Sequence, residues 1–255
     1  MSNFVKIKNK INSFNKSLSI DGDKSLSIRW VLLSSQSLKK CRSSNLLLSE
    51  DVYSSLNCLK KLGVKIKISK KFCEIIGLGL NGFKYKDNII LDAGNSGTLG
   101  RLILGLLVHS KKKVKLKGDK SLSKRDFLRV IKPLEKFGAK FESNFGKLPI
   151  KVHGTNYSKP IKFYENKGSA QCKSAVMFAA LNTQGETIIK AKKSRDHSEL
   201  LFKHLKLPIK IIKRKYYDII KVKGKNKIPA LNYKIPSDIS SAAFFIVLTT
   251  LVKNS

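Results

Sequence analysis

Apolar and polar positions follow two rhythms along this chain, and the rhythms alternate. Leu26, Trp30 and Leu33 fall at helical spacing and predict a helix over 24–37. At 64–68 the order Val-Lys-Ile-Lys-Ile alternates strictly, as in a strand with one wet face. Between the two lie a predicted strand at 45–48 and a second helix that starts at Ser49-Glu50-Asp51. Its two acids suit the positive end of a helix dipole, Leu56, Leu59 and Leu62 mark its buried face, and Gly63 ends it. Strands near 64–69, 73–77 and 89–91 complete the round.

The succession then returns twice. Gly94-Asn95-Ser96-Gly97-Thr98 opens a helix to 108, a strand at 113–117 leads to a helix ending at 137, and strands follow at 139–142 and 149–153. A third round has a strand at 161–164, a helix to 181, a strand at 186–190, a helix over 195–205, and strands at 208–213 and 218–223. The first helices of the rounds start near 24, 97 and 169 and the second near 51, 123 and 197, steps of 72 to 74. The chain therefore reads as three βαβαββ units of about 72 residues, preceded by a strand-like lead-in at Phe4-Val5-Lys6-Ile7. A fourth round starts at Pro236-Ser237-Asp238. Its helix, Ala242 to Val252, is apolar nearly all round and is expected to be buried on most sides. Only three residues follow it, to Ser255, and they cannot cover that surface, so the sequence reads as part of a longer protein.

Composition changes this picture in two ways. With 255 residues and 42% of them hydrophobic, the chain can build a proper core and is no disordered tail. Its net charge is +35, carried by 45 lysines and seven arginines. The lysines sit in every segment, including the wet faces of strands, and form no single arm or stripe with interleaved aromatics. A bias toward lysine on solvated faces explains the bulk charge, and a basic nucleic-acid-binding module is the alternative. The arginines carry more information: Arg29, Arg101, Arg125 and Arg195 all fall near turns rich in Ser and Gly. The four cysteines have no Cys-x-x-Cys spacing and read as reduced thiols of a cytoplasmic protein. The first ten residues lack the apolar core of a signal peptide. The apolar run at 242–252 falls short of the roughly 20 residues of a membrane helix.

The candidate chemistry lies at the helix starts. Gly22-Asp23-Lys24-Ser25-Leu26-Ser27 returns at 118–123 as Gly-Asp-Lys-Ser-Leu-Ser, each copy closing on an arginine, Arg29 and Arg125. The copies are 96 residues apart and so fall out of the repeat period; they read as similar loops on non-equivalent helices. Small residues at a helix start leave N–H groups free for an anion, and Lys and Arg add charge for phosphate or carboxylate. Lys24-Ser25, Ser96-Gly97-Thr98, Ser169-Ala170-Gln171 and Ser237-Asp238 are four such starts. If they face one side, their dipoles add, and a substrate with more than one phosphate or carboxylate is implied. The spacing of a Walker phosphate loop is absent.

These motifs, together with Leu91-Asp92-Ala93-Gly94-Asn95-Ser96-Gly97-Thr98-x-x-Arg101, Gly118-Asp119-x-Ser121-Leu122-Ser123-Lys124-Arg125, Ser169-Ala170-Gln171-x-Lys173-Ser174-Ala175, Ser194-Arg195-Asp196-His197-Ser198-Glu199 and Pro236-Ser237-Asp238-x-Ser240-Ser241, closely resemble the 5-enolpyruvylshikimate-3-phosphate synthases, in order along nearly the whole chain. Ser-Ala-Gln and Ser-Arg-Asp-His resemble the second class of that family. The resemblance implies an inside-out α/β barrel of βαβαββ repeats, the enolpyruvyl transferase fold. It implies one complete domain at about 22–233, with 1–21 and 234–255 belonging to a second, discontinuous domain that is present only in part.

The implied reaction moves the enolpyruvyl group of phosphoenolpyruvate to the 5-hydroxyl of shikimate 3-phosphate, in aromatic amino acid biosynthesis. The resemblance implies no metal, no organic cofactor, no nucleic acid and no membrane as partner, and a monomer at full length. It assigns Lys24, Ser25, Arg29, Ser169, Ala170, Gln171 and Arg195 to shikimate 3-phosphate. It assigns Lys24, Gly97, Arg125 and Gln171 to phosphoenolpyruvate. Arg101 and Asp238 match the motifs as well, with a loop-structural role for Arg101 and a helix cap for Asp238 as the other readings. His197 reads as a packed helix-start residue and Lys173 as structural. The family's carboxylate bases and its later Lys and Arg have no counterpart in these residues and are expected beyond Ser255. No catalytic residue is therefore assigned within the chain, which is expected to be inactive, or nearly so, on its own. The related UDP-N-acetylglucosamine enolpyruvyl transferases typically carry a Cys in the loop before the phosphate-binding Arg; Gly118 to Arg125 has none.

Overall fold

The computed structural model describes residues 13–69 and 72–252. The strand expected at 4–7 lies outside the described residues. So does Ser255, the position past which the catalytic bases are expected. Three helices form the centre: α1 (Lys24–Ser34), α3 (Gly97–Leu107) and α5 (Ala170–Leu181). α1 is buried from Ser27 onward and α5 from Cys172 onward, and in α3 every residue but Thr98 is buried. A helix with no polar face along its length belongs inside a core.

Three four-stranded sheets surround these helices. The second unit runs β4 (Ile89–Asp92), α3, β5 (Val114–Lys117), α4 (Leu128–Glu135), β6 (Lys140–Asn144) and β7 (Lys147–His153), with sheet order β4-β5-β7-β6. The third repeats this with β8 (Lys162–Glu165), α5, β9 (Glu186–Lys192), α6 (His197–His204), β10 (Ile209–Lys213) and β11 (Tyr217–Lys223), in the order β8-β9-β11-β10. In each, the first two strands are parallel and the remaining pairs antiparallel. β7 and β11 alternate buried and wetter positions, and lysines such as Lys147, Lys151 and Lys223 take the exposed ones. Much of the charge excess is therefore the outer surface of an inside-out α/β barrel, with helices within and sheets without.

The first unit departs from the expected layout. Its strands are β1 (Lys40–Ser44), β2 (Lys65–Ile68) and β3 (Cys73–Ile76), with α2 (Glu50–Lys61) after β1. Its opening strand comes from the far end of the body: β12 (Tyr233–Lys234) lies parallel to β1, Ser43 opposite Tyr233. The first sheet is thus completed by two residues, Tyr233 and Lys234, that lie just before the start of the fourth round and were not expected as a strand. The strand expected at 45–48 is a loop, because Asn45 turns the chain with φ of 57° and its side chain donates to the Ile235 carbonyl at 2.9 Å. Leu46 packs on the core from that loop.

A second departure concerns the helix expected from 123. The Asp119 carboxylate accepts from the Leu122 N–H at 2.6 Å and folds 122–124 into a single 3₁₀ turn. Arg125 is then extended, and α4 starts only at Leu128.

Asp21 to Asp23 and Pro236 to Asp238 meet as antiparallel neighbours. The Asp23 N–H donates to the Pro236 carbonyl at 2.8 Å and the Asp238 N–H to the Asp21 carbonyl at 2.9 Å. Between them Gly22 lies so close to the Asn45 carbonyl that a Cβ would stand 1.9 Å from it. Beyond this crossing, α7 (Ile239–Leu251) corrects the sequence expectation of a helix buried on most sides. None of its residues is buried, and Phe244 is 79% exposed.

Candidate functional site

Each central helix starts with a side-chain cap. Asp23 accepts from the Leu26 N–H at 2.7 Å, Ser96 from the Leu99 N–H at 3.3 Å, and Ser169 from the Cys172 N–H at 3.2 Å. These caps satisfy the N–H groups deeper in the first turn. Asp238 likewise accepts from Ser240 at 2.8 Å, so its helix-cap reading holds.

The first turn of α5 is the meeting point of two clusters. In one, Arg101 donates through Nη1 to the Gln171 amide oxygen at 2.7 Å, and the Gln171 amide nitrogen donates to Thr98 at 3.0 Å. Gly97 lies against both neighbouring arginines: a Cβ there would stand 3.0 Å from Arg101 Nη1 and 3.1 Å from Arg125 Nη1. Arg125, exposed on the loop before α4, donates to Asn95 at 3.2 Å. Arg101 is buried in α3, stacks 5.1 Å from the Phe127 ring centre and reaches the Asp126 carbonyl at 3.4 Å. It sits in the helix, as expected, and its contacts with Asp126 and Phe127 tie α3 to the loop before α4, in keeping with the loop-structural reading. Burial, then the charges of Arg129 and Arg125, lower its pKa.

The other cluster surrounds Arg29, which is 3% exposed. Its Nε donates to Ser198 at 2.7 Å, its Nη1 to the Ser25 carbonyl at 2.9 Å, and its Nη2 to Ser174 at 3.4 Å. Ser174 in turn donates to the Ala170 carbonyl at 2.6 Å. Burial lowers the Arg29 pKa to about 10, against the pull of Glu199 and Asp23, so it stays charged at neutral pH. Glu199 forms a buried ion pair with Lys173 at 2.5 Å, which gives Lys173 the structural part expected of it.

Lys24 is exposed at the start of α1, and its Nζ pairs with Asp51 at 3.1 Å. Arg195 is exposed just before α6. His197 is half-buried at the first residue of α6; burial lowers its pKa, followed by the charges of Arg29 and then Arg195. The structure therefore brings Ser25, Arg29 and Ala170 together, and Gly97, Arg125 and Gln171 together, with α5 common to both. Lys24 pairs with Asp51 on α2, and Arg195 lies exposed three residues before Ser198.

Sequence reasoning missed Ser174, Ser198 and Thr98 as partners of these groups, and Asp51 as partner of Lys24. Ser174, Thr98 and Ser198 all sat in plain view inside the quoted motifs, four residues after Ala170, one after Gly97 and three after Arg195. Among the described residues no three His, Cys, Asp or Glu side chains stand where they could hold a metal ion. The Cys58, Cys73 and Cys172 thiols are buried and pushed up to about 12, which leaves them unreactive. No helix among the described residues is long and apolar enough to cross a membrane.

A family model described as EPSP synthase (3-phosphoshikimate 1-carboxyvinyltransferase) matches residues 8–254. Among curated proteins, the chain is 44% identical over 252 residues to a 3-phosphoshikimate 1-carboxyvinyltransferase of Vesicomyosocius okutanii, covering 98% of this chain and 56% of the relative. It is 42% identical over 241 residues to the protein of that name from Caldicellulosiruptor saccharolyticus, covering 93% and 55%. Among solved structures, an EPSP synthase from Acinetobacter baumannii superposes with a TM-score of 0.85 at 32% identity, covering 94% of this chain and 54% of that one. The chain spans about half the length of the curated relatives it matches.

Proposed function

The chain belongs to the EPSP synthase family, and we propose that it supplies one wall of an enolpyruvyl transferase site that takes shikimate 3-phosphate and phosphoenolpyruvate. The single observation that carries this reading is the meeting of two arginine clusters on the first turn of α5, through Gln171 in one and Ala170 with Ser174 in the other. Two clusters on one helix start suit two anionic substrates held side by side.

In the reaction, the 5-hydroxyl of shikimate 3-phosphate attacks the enol carbon of phosphoenolpyruvate while its methylene carbon takes a proton. The tetrahedral adduct then loses phosphate from the attacked carbon and a proton from the new methyl group, which restores the double bond. Arg29, Ser25, Ser169, Ala170 and Arg195 hold shikimate 3-phosphate in this proposal, and Gly97 and Arg125 hold phosphoenolpyruvate. Lys24 and Gln171 reach both. The close approach of both guanidinium groups to the missing Cβ of Gly97 supports its part: a bare backbone there leaves room for a carboxylate or phosphate. The body at 22–233 forms one domain, and the segments that cross at Gly22 and Ser237 lead into a second. The protein is read as cytoplasmic and monomeric at full length, with no nucleic-acid or membrane partner.

General acid–base steps need a group within hydrogen-bond reach of the moving proton. The family's carboxylate bases are expected beyond Ser255, and in this proposal the chain by itself binds shikimate 3-phosphate with little or no turnover. Calorimetric titration of the chain with shikimate 3-phosphate, alone and with phosphoenolpyruvate, tests the proposal. Saturable binding that persists from low to moderate salt supports it. No saturable binding, or duplex DNA binding with a steep salt slope, overturns it.

A further inference from the structure

We infer that Ser198 and Ser174 are positioning residues that aim the Arg29 guanidinium at its anionic ligand, an inference that rests on the reading of Arg29 given above. The hydroxyls of Ser198 and Ser174 are 2.6 Å apart, and both residues are buried. Their proton directions follow from elementary inventory. A guanidinium only donates and a carbonyl only accepts. Arg29 Nε donates to Ser198 at 2.7 Å, and Ser174 gives its one proton to the Ala170 carbonyl at 2.6 Å. The contact between the hydroxyls is therefore filled by the proton of Ser198. The result is a directed chain from Arg29 to Ser198, to Ser174, to the first carbonyl of α5, with each hydroxyl proton used once.

Away from water, each link of such a chain strengthens the next. This one joins three helices: Arg29 lies in α1, Ser198 in the first turn of α6, and Ser174 in the second turn of α5. It holds the Nε side of the guanidinium. With Nη1 on the Ser25 carbonyl and Nη2 on Ser174, one N–H on each terminal nitrogen is left uncommitted. Those two donors suit an oxyanion.

The test uses the 255-residue chain with Ser198→Ala, Ser174→Ala and Ser198→Thr, each checked for folding by circular dichroism. Two readouts are taken: the affinity for shikimate 3-phosphate, and the side-chain Nε–H resonance of Arg29 in NMR. Removing one hydrogen bond to a charged group is expected to weaken binding about tenfold in Ser198→Ala. Ser198→Thr keeps the hydroxyl and restores it. The Nε–H signal exchanges slowly with water in the parent and in Ser198→Thr, and rapidly in Ser198→Ala. A folded Ser198→Ala chain with the parent affinity and a slow Nε–H signal overturns the inference. If Ser198→Ala does not fold, Ser174→Ala decides by the same two readouts. A parent chain that binds no shikimate 3-phosphate counts against the proposed function, and the Nε–H signal still tests the hydroxyl chain.

Discussion

Arg101 reaches from α3 into α5 and donates to the Gln171 amide oxygen at 2.7 Å, across 70 positions of sequence. With Thr98 accepting from the other end of the same amide at 3.0 Å, the orientation of Gln171 is fixed on both sides. Arg101→Ala removes the donor and leaves the Gln171 oxygen without its partner. A lost bond to a charged group costs about 1.5–3 kcal/mol, and the Phe127 ring loses the cation stacked 5.1 Å from its centre. Denaturant unfolding is expected to show a loss of about 2–3 kcal/mol. A loss under about 0.5 kcal/mol, the range of an ordinary surface substitution, contradicts the arrangement.

Gly97→Ala separates stability from binding. Gly97 is the first residue of α3, where Ala is the better helix former by up to about 1 kcal/mol. The added Cβ meets Arg101 Nη1 at 3.0 Å, Arg125 Nη1 at 3.1 Å and, at ordinary contact distance, Leu122 Cδ1 at 3.8 Å; the exposed Arg125 tip can swing away, while the buried Arg101 must give by a few tenths of an ångström. The helix gain and the displacement of Arg101 oppose each other, so the variant should melt close to the parent temperature while binding phosphoenolpyruvate more weakly. Thermal melting beside a titration checks both halves. A variant that binds as the parent does removes Gly97 from the proposed site.

His109 gives a pH dependence with a definite sign. Burial, then the charge of Lys225, lower its pKa to about 4, and its Nε2 lies 3.1 Å from the Thr183 hydroxyl. In the unfolded chain a histidine titrates near 6.5. Between those values the unfolded chain holds the extra proton, so stability is present above about pH 6.5 and is lost as pH falls toward 4. The full span is worth about 3 kcal/mol. His109→Gln should flatten this part of the stability curve while the carboxylate part remains. Identical pH slopes for parent and variant between pH 6.5 and 4.5 would refute the assignment.

The elements that could be read in advance are those with many residues and one repeated rule. α1, α3 and α5 carry long apolar runs behind capping residues, and the 72–74-residue step of the helix starts set out the three units. β12 could not be read this way, since two residues have no period. The late start of α4 follows from one side-chain bond, Asp119 to the Leu122 N–H, that outcompetes the helix locally. The site divides in the same way. Gly97, Arg125, Gln171 and Arg29 stood in motifs, and so did their partners Thr98, Ser174 and Ser198, but which residue orients which could not be read from one dimension. Ser198 reaches Arg29 over 169 positions, and only the packing of α6 beside α1 brings it there.

Lys173 and Glu199 test how far a buried charge pair serves geometry and how far stability. Their ion pair is 2.5 Å long, and each side chain is almost wholly buried. Removing one charge leaves the other unpaired in the core, a loss of about 3–5 kcal/mol. Replacing both by apolar residues of similar size is often neutral or stabilising. Lys173→Met should therefore unfold the chain far more readily than Lys173→Met with Glu199→Leu. Denaturant midpoints of the two variants measure the difference, and equal midpoints would mean that the pair is not closed in solution.

The apolar surface of α7 predicts association. Ile239, Phe244 and Leu251 are each at least 70% exposed, and Phe245, Ile246 and Val247 are exposed as well. A contiguous apolar surface of this kind is covered by a partner or drives aggregation. Light scattering of the purified chain should show a mass that rises with concentration. Phe244→Lys with Val247→Lys places two charges among those side chains and should return the protein to its monomer mass without lowering the melting temperature, because neither residue touches the buried core. A parent chain that stays monomeric as its concentration is raised would show that α7 finds cover within the chain itself.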